Sequence, residues 1–154
     1  MANVKLGSQT SWNNDYAESI TTTRQLTRGD SGKIFFVEQG SGAYVISLPE
    51  LSSNIAGWNA EFILKTAGDA VEVNCYGVPQ GGIAVADPVD TDSDKMYAVE
   101  IGHTEAVASA TDGISFGASA TSIGARIRVT TDGTSWYAMG FGGIAADIVD
   151  LDTD

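Results

Sequence analysis

The chain has 154 residues, 43% of them hydrophobic, with 20 acidic and 8 basic side chains and a net charge of −12. This length fits one domain with a core of its own and needs no metal or disulfide staple; a single cysteine, Cys75, excludes an intramolecular disulfide. The negative field repels a phosphate backbone, so nucleic acid is not an expected partner, and no run of 18 apolar residues offers a membrane-crossing helix.

Residues 1–25 read as an extended N-terminal arm or lead-in, polar apart from scattered anchors such as Trp12, Tyr16 and Ile20. One short strand is predicted around Ser19–Gln25. No basic stretch followed by an apolar one opens the chain, so no signal peptide is expected and synthesis in a cytoplasm is. Lys33–Val37 is apolar on both faces, as in a strand covered on two sides. Ala43–Leu48 alternates, with Tyr44, Ile46 and Leu48 on one side, and Pro49 ends it.

Trp58–Thr66 places Ala60, Phe62 and Leu64 on one face. Ala67-Gly68-Asp69 is a turn, and Ala70–Tyr76 returns with Val71, Val73 and Cys75 inward, making Cys75 a buried structural thiol. Residues 77–94 form a long loop, rich in Gly and then Asp. Lys95–Ile101 is a further strand with Tyr97, Val99 and Ile101 aligned. In residues 104–124, Thr111-Asp112-Gly113 predicts a hairpin, while Glu105–Ala110 offers one helical turn at most.

The clearest local signal follows. Asp132-Gly133 joins two alternating runs, and a two-residue type I′ turn there sets Val129 opposite Trp136, Ile127 opposite Ala138 and Arg128 opposite Tyr137. One face is apolar and the other carries Arg126, Arg128 and Tyr137. Short strands at this spacing, without a βαβ unit, predict an all-β domain over residues 26–146: an antiparallel β-sandwich or barrel, jelly-roll-like, with an acidic tail at 147–154.

Several patterns resemble catalytic or binding motifs but lack the context their chemistry needs. Gly29-Asp-Ser-Gly32 matches the surroundings of a serine-protease nucleophile, yet His103 is the chain's one histidine and lies downstream. Gly113-Ile-Ser-Phe-Gly117 matches a nucleophile elbow with no later histidine. Gly140-Phe-Gly-Gly-Ile-Ala145 matches a dinucleotide fingerprint with too little chain after it for the helix and second strand. Asp90-Thr-Asp-Ser-Asp94 begins like a calcium loop, but Lys95 occupies the position of the required glycine, which leaves an irregular Ca²⁺ site or a solvated acidic loop. Arg28-Gly-Asp30 is an integrin-type tripeptide, for which a turn with central glycine is the sufficient explanation. No catalytic residue, cofactor site or metal site is assigned, and an enzyme is not expected.

Leu26-Thr-Arg-Gly-Asp-Ser-Gly-Lys-Ile-Phe-Phe-Val37, Tyr44-Val-Ile-Ser-Leu-Pro49, Trp58-Asn-Ala-Glu-Phe-Ile-Leu-Lys-Thr66 and Thr131-Asp-Gly-Thr-Ser-Trp-Tyr137 together resemble small β-rich virion proteins of tailed bacteriophages. The similarity spans about residues 26–140 and extends to both head-decoration (cement) proteins and tail-fibre modules. The resemblance implies a structural protein on the outer capsid surface of a virion, a homotrimer whose partner is the major capsid protein. Trp12 and Tyr16 are the expected contacts to capsid or neighbouring copy, because aromatic anchors on a polar segment favour interfaces. The alternative is an appendage module that binds a receptor or glycan, with Tyr76 and Tyr137 stacking on sugar rings.

Overall fold

The computed structural model describes residues 16–76, 96–101, 110–117, 123–142 and 148–151. Trp12, the Asp90–Asp94 run, His103 and residues 105–109 lie outside them. Among the described residues the secondary structure is strands and two single-turn 3₁₀ segments, Arg28–Asp30 and Ser53–Ile55. No helix of the described residues is long and apolar enough to cross a membrane.

The strands are β1 (Ala17–Ile20), β2 (Arg24–Gln25), β3 (Ile34–Glu38), β4 (Tyr44–Ser47), β5 (Asn59–Thr66) and β6 (Val71–Asn74). They continue with β7 (Met96–Ile101), β8 (Ala110–Thr111), β9 (Gly113–Phe116), β10 (Arg126–Thr131), β11 (Trp136–Phe141) and β12 (Ile148–Leu151). A seven-stranded sheet has the order β1-β3-β5-β10-β11-β7-β8, and a five-stranded sheet the order β12-β9-β6-β4-β2.

The expected antiparallel arrangement is corrected here, because the sheets are mixed. β1–β3, β3–β5, β2–β4, β4–β6 and β7–β11 pair in parallel. For the first four of these pairs the reason lies in the path of the chain. From β1 to β6 each strand belongs to the opposite sheet from its predecessor, so odd strands stack on odd and even on even. A winding chain of this kind makes parallel neighbours without helices. Its turns carry the chain between sheets rather than folding a strand back on its neighbour. Thus Ala67-Gly68-Asp69 is a turn between sheets, and β5 and β6 do not pair. The hairpin expected at Thr111-Asp112-Gly113 is likewise a corner, with β8 in the larger sheet and β9 in the smaller.

The Asp-Gly hairpin forms, with a different register. Val129 pairs with Ala138, Thr131 with Trp136 and Arg128 with Met139, so the loop is the four residues 132–135. Asp132 is the cause. Its Oδ1 accepts from Thr134 N (2.8 Å), Thr134 Oγ1 (2.7 Å) and Ser135 N (2.9 Å), which widens the turn. Gly133, at φ 94° and with Ser52 O 2.8 Å from where a Cβ would stand, allows it. The displacement is two residues, an even number, so each side chain keeps its expected face.

Both sheets contribute to one apolar cluster. Phe35, Phe62, Leu64, Ile127 and Trp136 come from the larger sheet and Ile46, Val73, Ile114 and Phe116 from the smaller, all at most 1% exposed. Phe35 stacks on Phe62 (5.4 Å between ring centres), and Trp58 meets Trp136 edge to face (5.3 Å, 87°). Tyr44 adds a polar handle at the cluster's margin. Its hydroxyl donates to Ile20 O (2.8 Å), and burial pushes its pKa up to about 12. Cys75 is fully buried at the end of β6.

Segments 17–25 and 148–151 are integral to the sheets. β1 and β2 lie at an edge of the larger and smaller sheet, and β12 pairs with β9.

Candidate binding face

The motif matches separate cleanly on the structure. Arg28-Gly29-Asp30 closes a 3₁₀ turn, and Asp30 is 5% exposed. Its carboxylate accepts from Thr27 N and Thr27 Oγ1 (2.9 Å each), from Lys33 Nζ (2.7 Å) and from Arg24 Nη2 (3.4 Å). Arg24 also pairs with Glu18 and sits 5.5 Å over the Phe35 ring. Burial alone would raise the pKa of Asp30, but Lys33 and the Thr27 donors outweigh it and hold the carboxyl below its ordinary range. The tripeptide is therefore part of an ion network between β1 of one sheet and β2 of the other, and its carboxylate is not presented to a receptor.

Ser31 follows this turn with its Oγ accepting from Asn59 N (3.4 Å), a structural contact. Ser115 lies within β9, 4% exposed, and not on a strand-to-helix elbow. Gly140 is inside β11, where a dinucleotide-binding turn has no place. Among the described residues no three His, Cys, Asp or Glu side chains are grouped as metal ligands.

What distinguishes the molecule is the outer face of the larger sheet. On β7 the inward residues are the smaller or flexible ones, Met96 (0%) and Ala98 (5%), while Tyr97 (45%) and Val99 (39%) face outward. β11 repeats this, with Trp136 and Ala138 inward and Tyr137 (44%) and Met139 (40%) outward. Because β7 and β11 pair with Tyr97 opposite Tyr137 and Val99 opposite Met139, the four form one continuous strip. The two tyrosine rings lie nearly parallel, 5.9 Å apart. Tyr137 Oη donates to Asp132 Oδ2 (3.1 Å), which raises the phenol's pKa and ties the ring to the turn.

Beside the strip, across β10, β5 and β3, lies a groove of about 580 Å³. Tyr137 and Met139 border it on one side and Lys33 and Ile34 on the other, with Asn59, Glu61, Arg128 and Thr130 between them. Register builds this floor, since Glu61 is opposite both Ile34 and Arg128, and Asn59 opposite Thr130. Glu61 Oε1 accepts from Arg126 (3.2 Å) and Oε2 from Arg128 (3.4 Å). Lys65 and Glu38 form a further outer pair at 2.6 Å.

Of the expected interface residues, Tyr16 is 64% exposed at the start of β1, the edge opposite the β7 end of the sheet. Tyr76 and Tyr137 are not brought together: Tyr76 follows β6 of the smaller sheet and is half-buried. Sequence reasoning passed over Met139 and treated Tyr97 and Val99 as an aligned apolar set without a side. The available signal was Met96 and Ala98, which alternate with that set and are the residues that fit a confined interior.

Compared with protein-family models, curated proteins and solved structures, the chain has no match.

Proposed function

We propose that the protein is a virion structural component: a head-decoration protein that binds the outer surface of a phage capsid as a homotrimer and tightens contacts between capsid subunits. The observation that carries this reading is the strip of Tyr97, Val99, Tyr137 and Met139 on a block of two sheets. Contiguous exposed apolar surface is a feature of contact sites, and association with another polypeptide is one way to cover it. A sandwich of the two sheets, joined through one apolar cluster, is rigid enough to present it. In this reading the strip joins copies of the chain, and the Tyr16 edge, with Trp12 before it in sequence, reaches the capsid. Each contact is weak alone, and a trimer that touches several subunits gains through effective concentration.

The groove beside the strip favours a second reading, an appendage module that binds a receptor or glycan. Copy number separates the two. Quantitative mass spectrometry of the parent particle should give copies in proportion to the capsid lattice; a number matching the tail or fibres would reject decoration. In the isolated protein, Tyr97→Ser combined with Met139→Ser should leave a monomer that melts as the wild type does. An unchanged oligomer in that variant would remove the strip from the interface.

A further inference from the structure

We infer that the groove between Tyr137 and Lys33–Ile34 is a saccharide-binding site. Sugar recognition needs an aromatic ring beside a set of side chains that can both donate and accept hydrogen bonds, because a pyranose has apolar C–H faces and a hydroxyl rim. Both are present here. Tyr97 stacks on Tyr137 from the β7 side, and the groove lies on its other side, over β10. Asn59 spends one amide hydrogen on Gly57 O (3.1 Å), which leaves Oδ1 open to a ligand hydroxyl. The Thr130 side chain is outward and makes no hydrogen bond among the described residues, and the Glu61–Arg128 pair offers an acceptor and donors side by side. The volume, about 580 Å³, falls in the roughly 300–1,000 Å³ range of small-molecule sites.

Other ligand classes fit less well. A lipid or other apolar ligand would strip water from Asn59, Glu61, Arg128 and Thr130 and give no hydrogen bond in return. A nucleotide could stack on Tyr137, but its phosphates concentrate several negative charges at one point, which Glu61 and a chain of net charge −12 oppose more strongly than the single charge of a uronate ring. A saccharide uses the ring and the polar floor together. The inference rests on the second reading, the receptor- or glycan-binding module, because the strip that joins copies in the first reading shares Tyr137 and Met139 with the groove.

The test is amide chemical-shift mapping of the full chain with maltohexaose, chitohexaose and oligogalacturonate as probes. At least one should shift Asn59, Glu61, Thr130 and Tyr137 as a group, with a Kd of about 1 mM. A response confined to oligogalacturonate would assign an acidic sugar held by Arg128 or Lys33, and a response to the others a neutral one. Tyr137→Ala should weaken binding about tenfold, while Tyr137→Phe, which keeps the ring and loses only its tie to Asp132, should weaken it less. Asn59→Ala, at an exposed position, should weaken binding without unfolding the chain. No shift with any of the three probes, or shifts centred on Tyr97 and Val99, would overturn the inference. Sedimentation reads self-association separately, so loss of either property leaves the other measurable.

Discussion

Asp132 illustrates how one exposed side chain sets local geometry. Three donors of the turn converge on its Oδ1 and the Tyr137 hydroxyl on its Oδ2. The Thr134 N–H, then the Thr134 hydroxyl and the Ser135 N–H, hold its carboxyl far below the ordinary carboxylate range. A depressed carboxyl contributes stability that is present above its unfolded pKa, near 4, and lost as pH falls through the folded value. Asp132→Ala should therefore melt below the wild type at neutral pH, and the gap should narrow as pH drops toward about 2. Melting curves across that range check it; a gap that does not depend on pH would mean that the charge is irrelevant to the turn. The same carboxylate orients Tyr137, so one residue links hairpin register to the outer face of the sheet.

At the scale of elements, alternation along β5, β10 and β11 was legible and pairing between strands was not. Ala60, Phe62 and Leu64, Tyr44 and Ile46, and Ile127 and Val129 all face the interior as their spacing implies. Periodicity reports which side of a strand is covered. It carries nothing about which strand lies beside it, and so could not distinguish a meander from a chain that alternates between sheets. The hairpin register was missed for a related reason: Asp-Gly marks a turn, but the donors that Asp132 gathers decide its length. On β6 even the face was misleading. Glu72 and Asn74 alternate with valines as an outward row would, yet they are 6% and 0% exposed, and Asn74 Nδ2 donates to Glu72 Oε2 (3.1 Å).

Gly113 shows the packing consequence of this interior polar row. A Cβ there would stand 2.5 Å from Asn74 Oδ1 and 2.8 Å from Val73 O, the latter a backbone atom that cannot yield without moving β6. Gly113→Ala should cost about 1–3 kcal/mol, the usual penalty for overfilling a tight interior. Urea denaturation measures it, and a loss within error of zero would mean that β6 and β9 separate more readily than their pairing implies.

For the whole molecule, the charge balance of the outer face sets how copies can meet. Each copy carries −12, so association brings like charges together and is opposed at long range. The outer face departs from that average. Arg126, Arg128 and Lys65 stand among Glu61 and Glu38, already paired within the same chain, so the face is close to neutral around its apolar strip. Two opposite signs of salt dependence follow from two ways of joining. Were copies held by ion pairs across the interface, screening would weaken them. If the strip joins them, the attraction is apolar and insensitive to screening, while the repulsion between the remaining acidic surfaces falls as the Debye length shortens to about 10 Å near 0.1 M salt. We therefore expect the average mass in sedimentation, at fixed protein concentration, to rise as sodium chloride increases from about 0.01 M to about 0.1 M. A fall over that range would place ionic contacts, not the tyrosine–methionine strip, at the centre of the assembly.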